Sequence, residues 1–375
     1  MLNGIHLTLM IGPAVPLPVS RDVLNALTSI EVTNTSEGPS GFQLHFTLNK
    51  QSVLETLFLV AAGASIPLIR VVVAVTVNGL TQVLVDGVMT HHQISPGGSG
   101  QSPSLTVTGE DLTKVMDYID FSGIPYPAMP AEARVLLILA KYAVFGVIPL
   151  VIPSVLIDVP IPIQQIPRQQ GKDLAYVRQL AEEVGYVFYI EPGPTPGTSV
   201  AYWGPEIKVG VPQAALNMDM DAQTNVESLS FTYNSDSAQL PIVFIQDPNS
   251  KVVIPIPIPD VSPLNPPLGA IPPIPKDIYV IDETAKYSPV RAALIGLAKA
   301  AKSADVVSAS GTLDVLRYGS VLKARRLVGV RGAGPAFDGL FYVRSVTHSI
   351  KRGEYKQSFT LGRNGLLSTL SSVPA

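Results

Sequence analysis

The 375-residue sequence contains no cysteine, which excludes disulfide bonds, thiol nucleophiles and cysteine–zinc sites. Aromatic residues make up only 7% of the chain, and charged residues make up 15%, below the share of about a quarter that is usual for soluble domains. The formal net charge is −3 and no basic stripe is present, so we expect no nucleic-acid partner. The chain is long enough for two or three domains. Its low charge predicts that much of its surface meets other protein.

We also expect no signal peptide. The N-terminus, "MLNGIHLTLMIGPAVPLPVS", lacks a basic start and a continuous apolar core, so we expect synthesis in the cytoplasm. One apolar segment, residues 133–159, is long enough to raise membrane contact as an alternative. Two charged residues and the prolines Pro149 and Pro153 interrupt this segment. It therefore predicts a buried helix of about 15 residues that ends at Gly146 and leads into an extended strand, with no stable membrane insertion.

Motifs that carry catalysis or bind metals are absent too. None of the five histidines has zinc-site spacing, and His91 and His92 point to opposite faces of a strand. Asp219 and Asp221 have the spacing of a calcium loop but lack its glycine and its bidentate glutamate. The glycine-rich residues 329–339 match no phosphate loop and predict a turn. We expect no catalytic, metal or cofactor residues. Sequence alone does not exclude the two inward carboxylates that a glycosidase needs, although no motif points to them.

Most of what is present indicates β-structure. Two β-branched runs meet at Asn78-Gly79, a strong hairpin signal. Helical spacing is found in residues 110–119, from about Lys172 to Glu183 ahead of a strand at 186–190, and in residues 287–302. Nine prolines between Pro255 and Pro275 predict an extended arm or a long ordered loop.

The two ends of the chain resemble each other. Residues 83–91 and 104–112 form a hairpin pattern with a glycine-marked exit, and residues 340–348 and 358–366 repeat it. This similarity suggests two copies of one β module separated by an insert.

Three segments also resemble a known family. They are "HLTLMIGPAVPLPVSRDVLNALTSIEVTNTSEGPSGFQLHF", "GKDLAYVRQLAEEVGYVFYIEPG" and "LDVLRYGSVLKARRLVGVRGAGPAFDGLFYVRSVTHSIKRGEYKQSFTLGRNG". They resemble the phage late control gene D family, the baseplate hub proteins of contractile phage tails and related injection systems. The first segment is most similar to hubs of extracellular contractile injection systems. The related spike proteins of type VI systems carry a C-terminal needle or OB-fold extension. We expect none after Ala375, so the resemblance implies a separate spike protein.

The resemblance implies a mainly β (α+β) fold with two similar antiparallel tube-like β-barrel domains and an inserted small α/β region. The expected domains are residues 1–112, a helix and proline-rich connector at 113–170, the α/β insert at 171–212, and 213–375 with a proline-rich arm at 248–276. It also implies a homotrimer, whose six barrels match a hexameric inner tube on one side and a trimeric spike on the other.

The expected function is therefore that of a structural baseplate hub in a phage-tail-like particle. Its expected partners are the inner tube protein, a separate spike protein and other baseplate components. Polar strand residues near the end of the chain would line or flank the channel: Arg344, His348, Lys356, Ser358 and Thr360. Imperfect alternation around Ser345–Thr347 leaves open which strand face points inward. The alternative is a ligand- or carbohydrate-binding β protein, with an enzyme third.

Overall fold

The computed structural model describes residues 4–48, 68–97, 102–154, 166–246, 252–258, 265–281, 289–303, 305–370 and 372–373. The described residues are mostly in strands, and a smaller share is in helices. The expected mainly β fold with two similar units is confirmed.

The first β unit precedes the insert. Its elements are β1 (Ile5–Gly12), β2 (Leu17–Pro18), helix α1 (Arg21–Ala26), β3 (Leu27–Thr35), β4 (Gly41–Thr47), β5 (Arg70–Val77), β6 (Leu80–Ser95) and β7 (Ser104–Asp111). Asn78 and Gly79 form the turn between β5 and β6, with φ of 49° and 81°. Two positive φ angles are what a tight two-residue hairpin turn requires, so the predicted hairpin is confirmed.

The second β unit follows the insert. Its main strands are β11 (Gln213–Asn217), β12 (Val226–Tyr233), β17 (Val307–Asp314), β18 (Leu327–Arg331), β19 (Gly339–Lys351) and β20 (Glu354–Arg363). Between β12 and β17 lie β13 (Gln239–Gln246), β14 (Val253–Pro257), β15 (Gly269–Ile271), β16 (Asp277–Ile281) and helix α4 (Pro289–Ser303). Helix α5 (Val315–Tyr318) follows β17, and β21 (Leu366–Ser368) follows β20. Short three-ten turns lie at Asp221–Gln223 and Ser235–Ser237. Within the glycine-rich residues 329–339, residues 332–338 form the turn between β18 and β19, as predicted.

The two units share one strand order. Hydrogen-bonded neighbours run β3-β4-β7-β6-β5-β1 in the first unit and β12-β17-β20-β19-β18-β11 in the second. The equivalent strands also follow each other in the same order along the chain. One pair differs, because β1 is antiparallel to β5 whereas β11 is parallel to β18. The shared order supports the duplication that the two chain ends suggested.

The two units are joined by a direct strand pairing. β19 of the second unit lies antiparallel to β3 of the first, through seven residue pairs from Ser345 opposite Thr35 to Lys351 opposite Ser29. This pairing merges the units into one sheet of 13 described strands. Apolar side chains from both units meet beneath the sheet in one continuous core.

The insert has its own sheet and core. Its elements are a three-ten helix (Leu112–Asp117), α2 (Ala131–Ala140), a three-ten turn (Ala143–Phe145), β8 (Val147–Val151), α3 (Asp173–Glu182), β9 (Val187–Pro192) and β10 (Ser199–Gly204). The strands pair in the order β8-β10-β9, and α2 and α3 pack around the buried Trp203. Elements from the predicted connector therefore share a core with the predicted α/β insert. The helix and strand predicted from Lys172 onward are confirmed within two residues.

Two helix predictions need correction. The helical spacing at residues 110–119 gives a three-ten helix, Leu112–Asp117, whose N-cap residue Asp111 accepts hydrogen bonds from the backbone and hydroxyl of Thr113. In residues 133–159 the α-helix stops at Ala140, and a three-ten turn ended by left-handed Gly146 (φ 68°) leads into β8. Val135, Ile138 and Leu139 are buried but other apolar residues of this helix are exposed, so it is only half-buried. No helix in the described parts of the chain is long and apolar enough to cross a membrane.

The proline-rich arm is extended in its described residues. β14 is an exposed edge strand of the three-stranded sheet β14-β13-β16, a position that tolerates proline because one strand side needs no ladder hydrogen bonds. β15 pairs with β21, and the Asn364 side chain accepts hydrogen bonds from the backbone of Leu268 and Gly269 at 2.8 and 3.3 Å. The arm is thus tied to the chain end at this point.

A buried ion pair fixes the first unit to the insert. Arg70 donates from Nε and Nη2 to the Asp86 carboxylate at 2.7 and 2.6 Å, and both side chains are almost wholly buried. Arg70 also donates to the carbonyls of Ala14 and Gly197 at 2.7 and 3.0 Å. Ser199 of β10 donates to Asp86 at 3.0 Å. Both charges therefore have hydrogen-bond partners from two parts of the chain.

Replacing Arg70 by Met should lower the free energy of unfolding by about 3–5 kcal/mol, because Asp86 would be left as a buried, unpaired carboxylate. Urea denaturation followed by fluorescence of Trp203, the single tryptophan, measures the change. Lys276→Met is the matched control, because it removes an exposed pair with Asp236 and should leave the midpoint unchanged. A loss for Arg70→Met no larger than the control's would contradict the anchoring role.

Candidate functional site

Hydroxyl side chains cover one face of the joined sheet. Strands in both units alternate small polar residues with buried apolar ones, so the period-two geometry places all hydroxyls on the same side. We call this surface the hydroxyl face. It consists of Ser228 and Ser230 on β12, Ser310 and Thr312 on β17, Ser358 and Thr360 on β20, Ser345 and Thr347 on β19, and Thr33 and Thr35 on β3.

These hydroxyls lie opposite one another across neighbouring strands and bind each other. The oxygen–oxygen distances are 2.8 Å for Ser228–Thr312, 3.0 Å for Ser230–Ser310, 2.6 Å for Ser345–Thr360 and 3.0 Å for Thr347–Thr33. The last of these hydrogen bonds crosses the joint between the two units. Cross-strand hydroxyl pairs of this kind stabilise a sheet modestly.

The face continues into the first unit. Gln43 and His45 on β4 lie opposite Thr108 and Thr106 on β7, and His45 Nδ1 lies 3.1 Å from the Thr106 hydroxyl. The polar surface therefore extends over seven adjacent described strands, from β12 to β7, without interruption at the joint.

Cationic side chains beside the face are paired with acids. Lys356 contacts Glu227 at 2.9 Å and Glu354 at 3.3 Å, and hydrogen bonding to these carboxylates raises the pKa of Lys356. Arg344 donates from Nε and Nη2 to Asp305 at 3.0 and 2.8 Å. This pairing keeps the local charge close to neutral.

Three of the five predicted channel residues lie on this side of the sheet. Ser358 and Thr360 belong to the hydroxyl face, and Lys356 lies beside them on β20. Arg344 is the extra residue of a β-bulge between Val343 and Ser345, which explains the imperfect alternation seen in the sequence.

The interpretation of His348 as a channel residue is wrong. Its side chain is 1% exposed and points into the core, because it lies in register with Val32 of β3 and Gln357 of β20. The Asn34 amide nitrogen lies 3.1 Å from the Leu84 carbonyl, which can only accept, and 3.3 Å from His348 Nε2. On the other side of the ring, His348 Nδ1 lies 2.8 Å from the Tyr355 hydroxyl and 3.2 Å from the Gln357 amide nitrogen.

Sequence reasoning missed the hydroxyl residues of β12, β17 and β3. Their signal is visible in the alternating stretches "ESLSFTY" and "SASGTLD", but short alternating runs do not reveal which strands become neighbours. The other candidate positions do not come together. His91 and His92 lie on β6, and the described residues contain no group of three side chains placed to hold a metal ion.

No protein-family model matches the chain, and no curated protein does either. Solved structures do match over nearly its full length. The tail protein from Neisseria meningitidis MC58 is 14% identical with a TM-score of 0.62, and the match covers 97% of this chain and 98% of that one. The 43 kDa tail protein of prophage MuSo2 from Shewanella oneidensis is 16% identical with a TM-score of 0.60, covering 96% and 98%.

The chain has the fold of phage tail proteins. A third match, at 13% identity and a TM-score of 0.51, is the E. coli c3393 protein, covering 93% of this chain and 76% of that one. That protein is a component of the type VI secretion system with structural similarity to the T4 bacteriophage tail proteins gp27 and gp5. At these identities the likeness establishes the fold, and the sequence resemblance to hub proteins is confirmed at that level.

His348 should make stability depend on pH. Burial lowers its pKa from 6.5 to about 3. Between these values the unfolded chain binds one more proton than the folded chain, so stability present above pH 6.5 is lost as the pH falls. The histidine contribution between pH 7 and pH 5 is about 2 kcal/mol.

Replacing His348 by Gln should reduce the pH 7-to-5 loss of unfolding free energy by about that amount, whatever the variant's stability at pH 7. Urea denaturation at both pH values gives the difference. His6→Gln, at an exposed position of β1, is the control and should behave like the parent protein. An equal pH-dependent loss in the His348 variant would show that this histidine is not the titrating group.

Proposed function

We propose that this chain is a non-enzymatic structural hub in the baseplate of a phage-tail-like contractile particle. In this role it joins the inner tube to a separate spike protein. The main support is the merged sheet, in which one chain supplies two units of the same strand order joined edge to edge. The full-length fold likeness to phage tail proteins supports the same role.

The repeated units offer a physical solution to a symmetry mismatch. Three copies of a chain with two equivalent units present six units to a sixfold tube and three chains to a threefold spike. Heterologous contacts of this kind form a closed ring when the rotation per unit closes. The proposed assembly is therefore a homotrimer with six units around a channel.

The hydroxyl face is the surface we assign to the channel wall. Its hydroxyls bind one another, and Lys356 and Arg344 beside it are paired with acids. Such a wall holds water and carries few charges, of which Glu31 is exposed on β3 and Lys356 is paired with two acids.

Exposed apolar residues on the insert are suited to contacts with other baseplate components. On β8, Ile148 and Leu150 are 54% and 49% exposed, and Val211 beyond β10 is 92% exposed. Apolar groups clustered on a surface in this way mark protein contacts more often than free solvent-facing surface. In this proposal the protein is made in the cytoplasm and works as part of the assembled particle.

Multi-angle light scattering tests the proposal directly. We expect the purified protein to have three times the 39.8 kDa mass of one chain, either alone or together with the spike protein of the same particle. The complex should also retain the tube protein when the three are co-expressed. A chain that stays monomeric and binds neither protein would contradict the hub role.

A further inference from the structure

A groove lies between the outer face of the insert sheet and the second β unit, and we call it the insert groove. On the insert side, Tyr202 lies opposite Leu150 and Tyr189, on the face of the sheet that points away from the buried Trp203. The start of β18 and Tyr342 of β19 line the other side. The groove has a volume of about 250 Å³, just below the about 300–1,000 Å³ of typical small-molecule sites, so it suits a few side chains of a peptide.

A connector forms the open rim of the groove. Residues 205–211 lie between β10 and β11 and belong to no strand in the described structure. Ile207, Val209 and Val211 alternate along this connector and are 39%, 42% and 92% exposed, whereas Lys208 is buried. Exposed apolar side chains at every second position of a segment are what an added, extended partner segment covers.

An arginine of the second unit brings an unmet hydrogen-bond donor to the groove. The guanidinium carbon of Arg325 lies 4.1 Å from the centroid of the Tyr189 ring. Its Nε atom is buried and has no acceptor among the described residues. Asp111 is close enough to act on Arg325 electrostatically, but its carboxylate accepts hydrogen bonds from Ser40 and Thr113. Because a buried donor without an acceptor is costly, a ligand that brings an acceptor here gains free energy.

The charges around the groove are asymmetric. Arg326, next to Arg325, is exposed and forms no ion pair within the described parts of the chain. Glu191 and Glu206 line the groove as well, and neither has an oxygen that is buried without a partner. The unmet buried atom is therefore a donor that has a second cation beside it. The acceptor that fits such a pair of arginines best is a carboxylate.

We propose that the insert groove binds an extended segment of another protein, in which an acidic side chain is flanked by apolar residues. The carboxylate binds at Arg325 and Arg326, and the apolar side chains cover Tyr202 and the exposed residues of the connector. Tyrosine and arginine often supply most of the binding energy in protein interfaces, so the lining favours a peptide over a small metabolite. That this partner is another component of the particle rests on the proposed hub function.

Labelled peptides test the charge preference of the groove. The probes are fluorescein-labelled octapeptides of alternating valine and threonine with one central glutamate, glutamine or lysine. Fluorescence polarisation with the full chain measures each dissociation constant. We expect the glutamate peptide to bind about three- to tenfold tighter than the glutamine peptide, because it adds a charge-assisted contact. The lysine peptide should bind most weakly.

Variants of the two charged sides should shift the affinity in opposite directions. Arg326→Gln should weaken binding of the glutamate peptide about two- to fivefold, because it removes an exposed cation. Glu191→Gln should tighten binding of the same peptide, because it removes a like charge. Arg317→Gln, at an exposed position of α5 outside the groove, is the control and should leave the affinity unchanged. Damage to the fold would weaken binding in every variant, so tighter binding by Glu191→Gln identifies recognition of charge.

Equal binding of the three peptides, or tightest binding of the lysine peptide, would overturn the assignment of an acidic partner. No saturable binding of any peptide at about 1 mM would overturn the groove as a docking site. Light scattering on the same samples keeps this test separate from the hub role. A trimer that fails to bind the peptides leaves the hub role intact, whereas a monomer that binds neither tube nor spike protein contradicts that role.

Discussion

The pairing of β3 with β19 is the interaction on which the rest of the architecture depends. Seven residue pairs join strands that are separated by most of the chain, and they turn two separate units into one sheet. Because side chains alternate with a period of two, a slip of one residue would bury Thr33 and expose Val32, and it would break the polar surface at the joint. The register therefore determines both the shared core and the continuous hydroxyl face.

Polar groups inside this joint specify the register further. Gln357 binds the backbone of Leu322 through both ends of its amide, at 2.9 and 3.0 Å, and His348 contacts Asn34 and Tyr355. In a site that excludes water, each unmet hydrogen bond would be costly, so a shifted pairing loses more than apolar contact. The histidine thus serves the joint and not the surface, and its position ties assembly of the sheet to pH.

The sequence predicts local features well, because turns and amphipathic helices depend on residues close to one another. The Asn78-Gly79 hairpin, the helix Asp173–Glu182 and the resemblance of the two chain ends follow from such patterns. The β3–β19 joint cannot be predicted from such local patterns, because nothing in the alternation of two strands shows that they are neighbours in the sheet. The burial of His348 depends on that joint, and so sequence alone could not show that this histidine lies in the core.

The central claim is that the hydroxyl face is the inner wall of a ring built from equivalent units. Cryo-electron microscopy of the purified protein bound to its tube protein tests this most directly, because the map shows which face of the sheet borders the channel. The account predicts six similar units around one channel, with Thr312, Ser358 and Thr347 directed into it. A map in which these residues face outward, or pack against another protein outside the ring, would contradict the account.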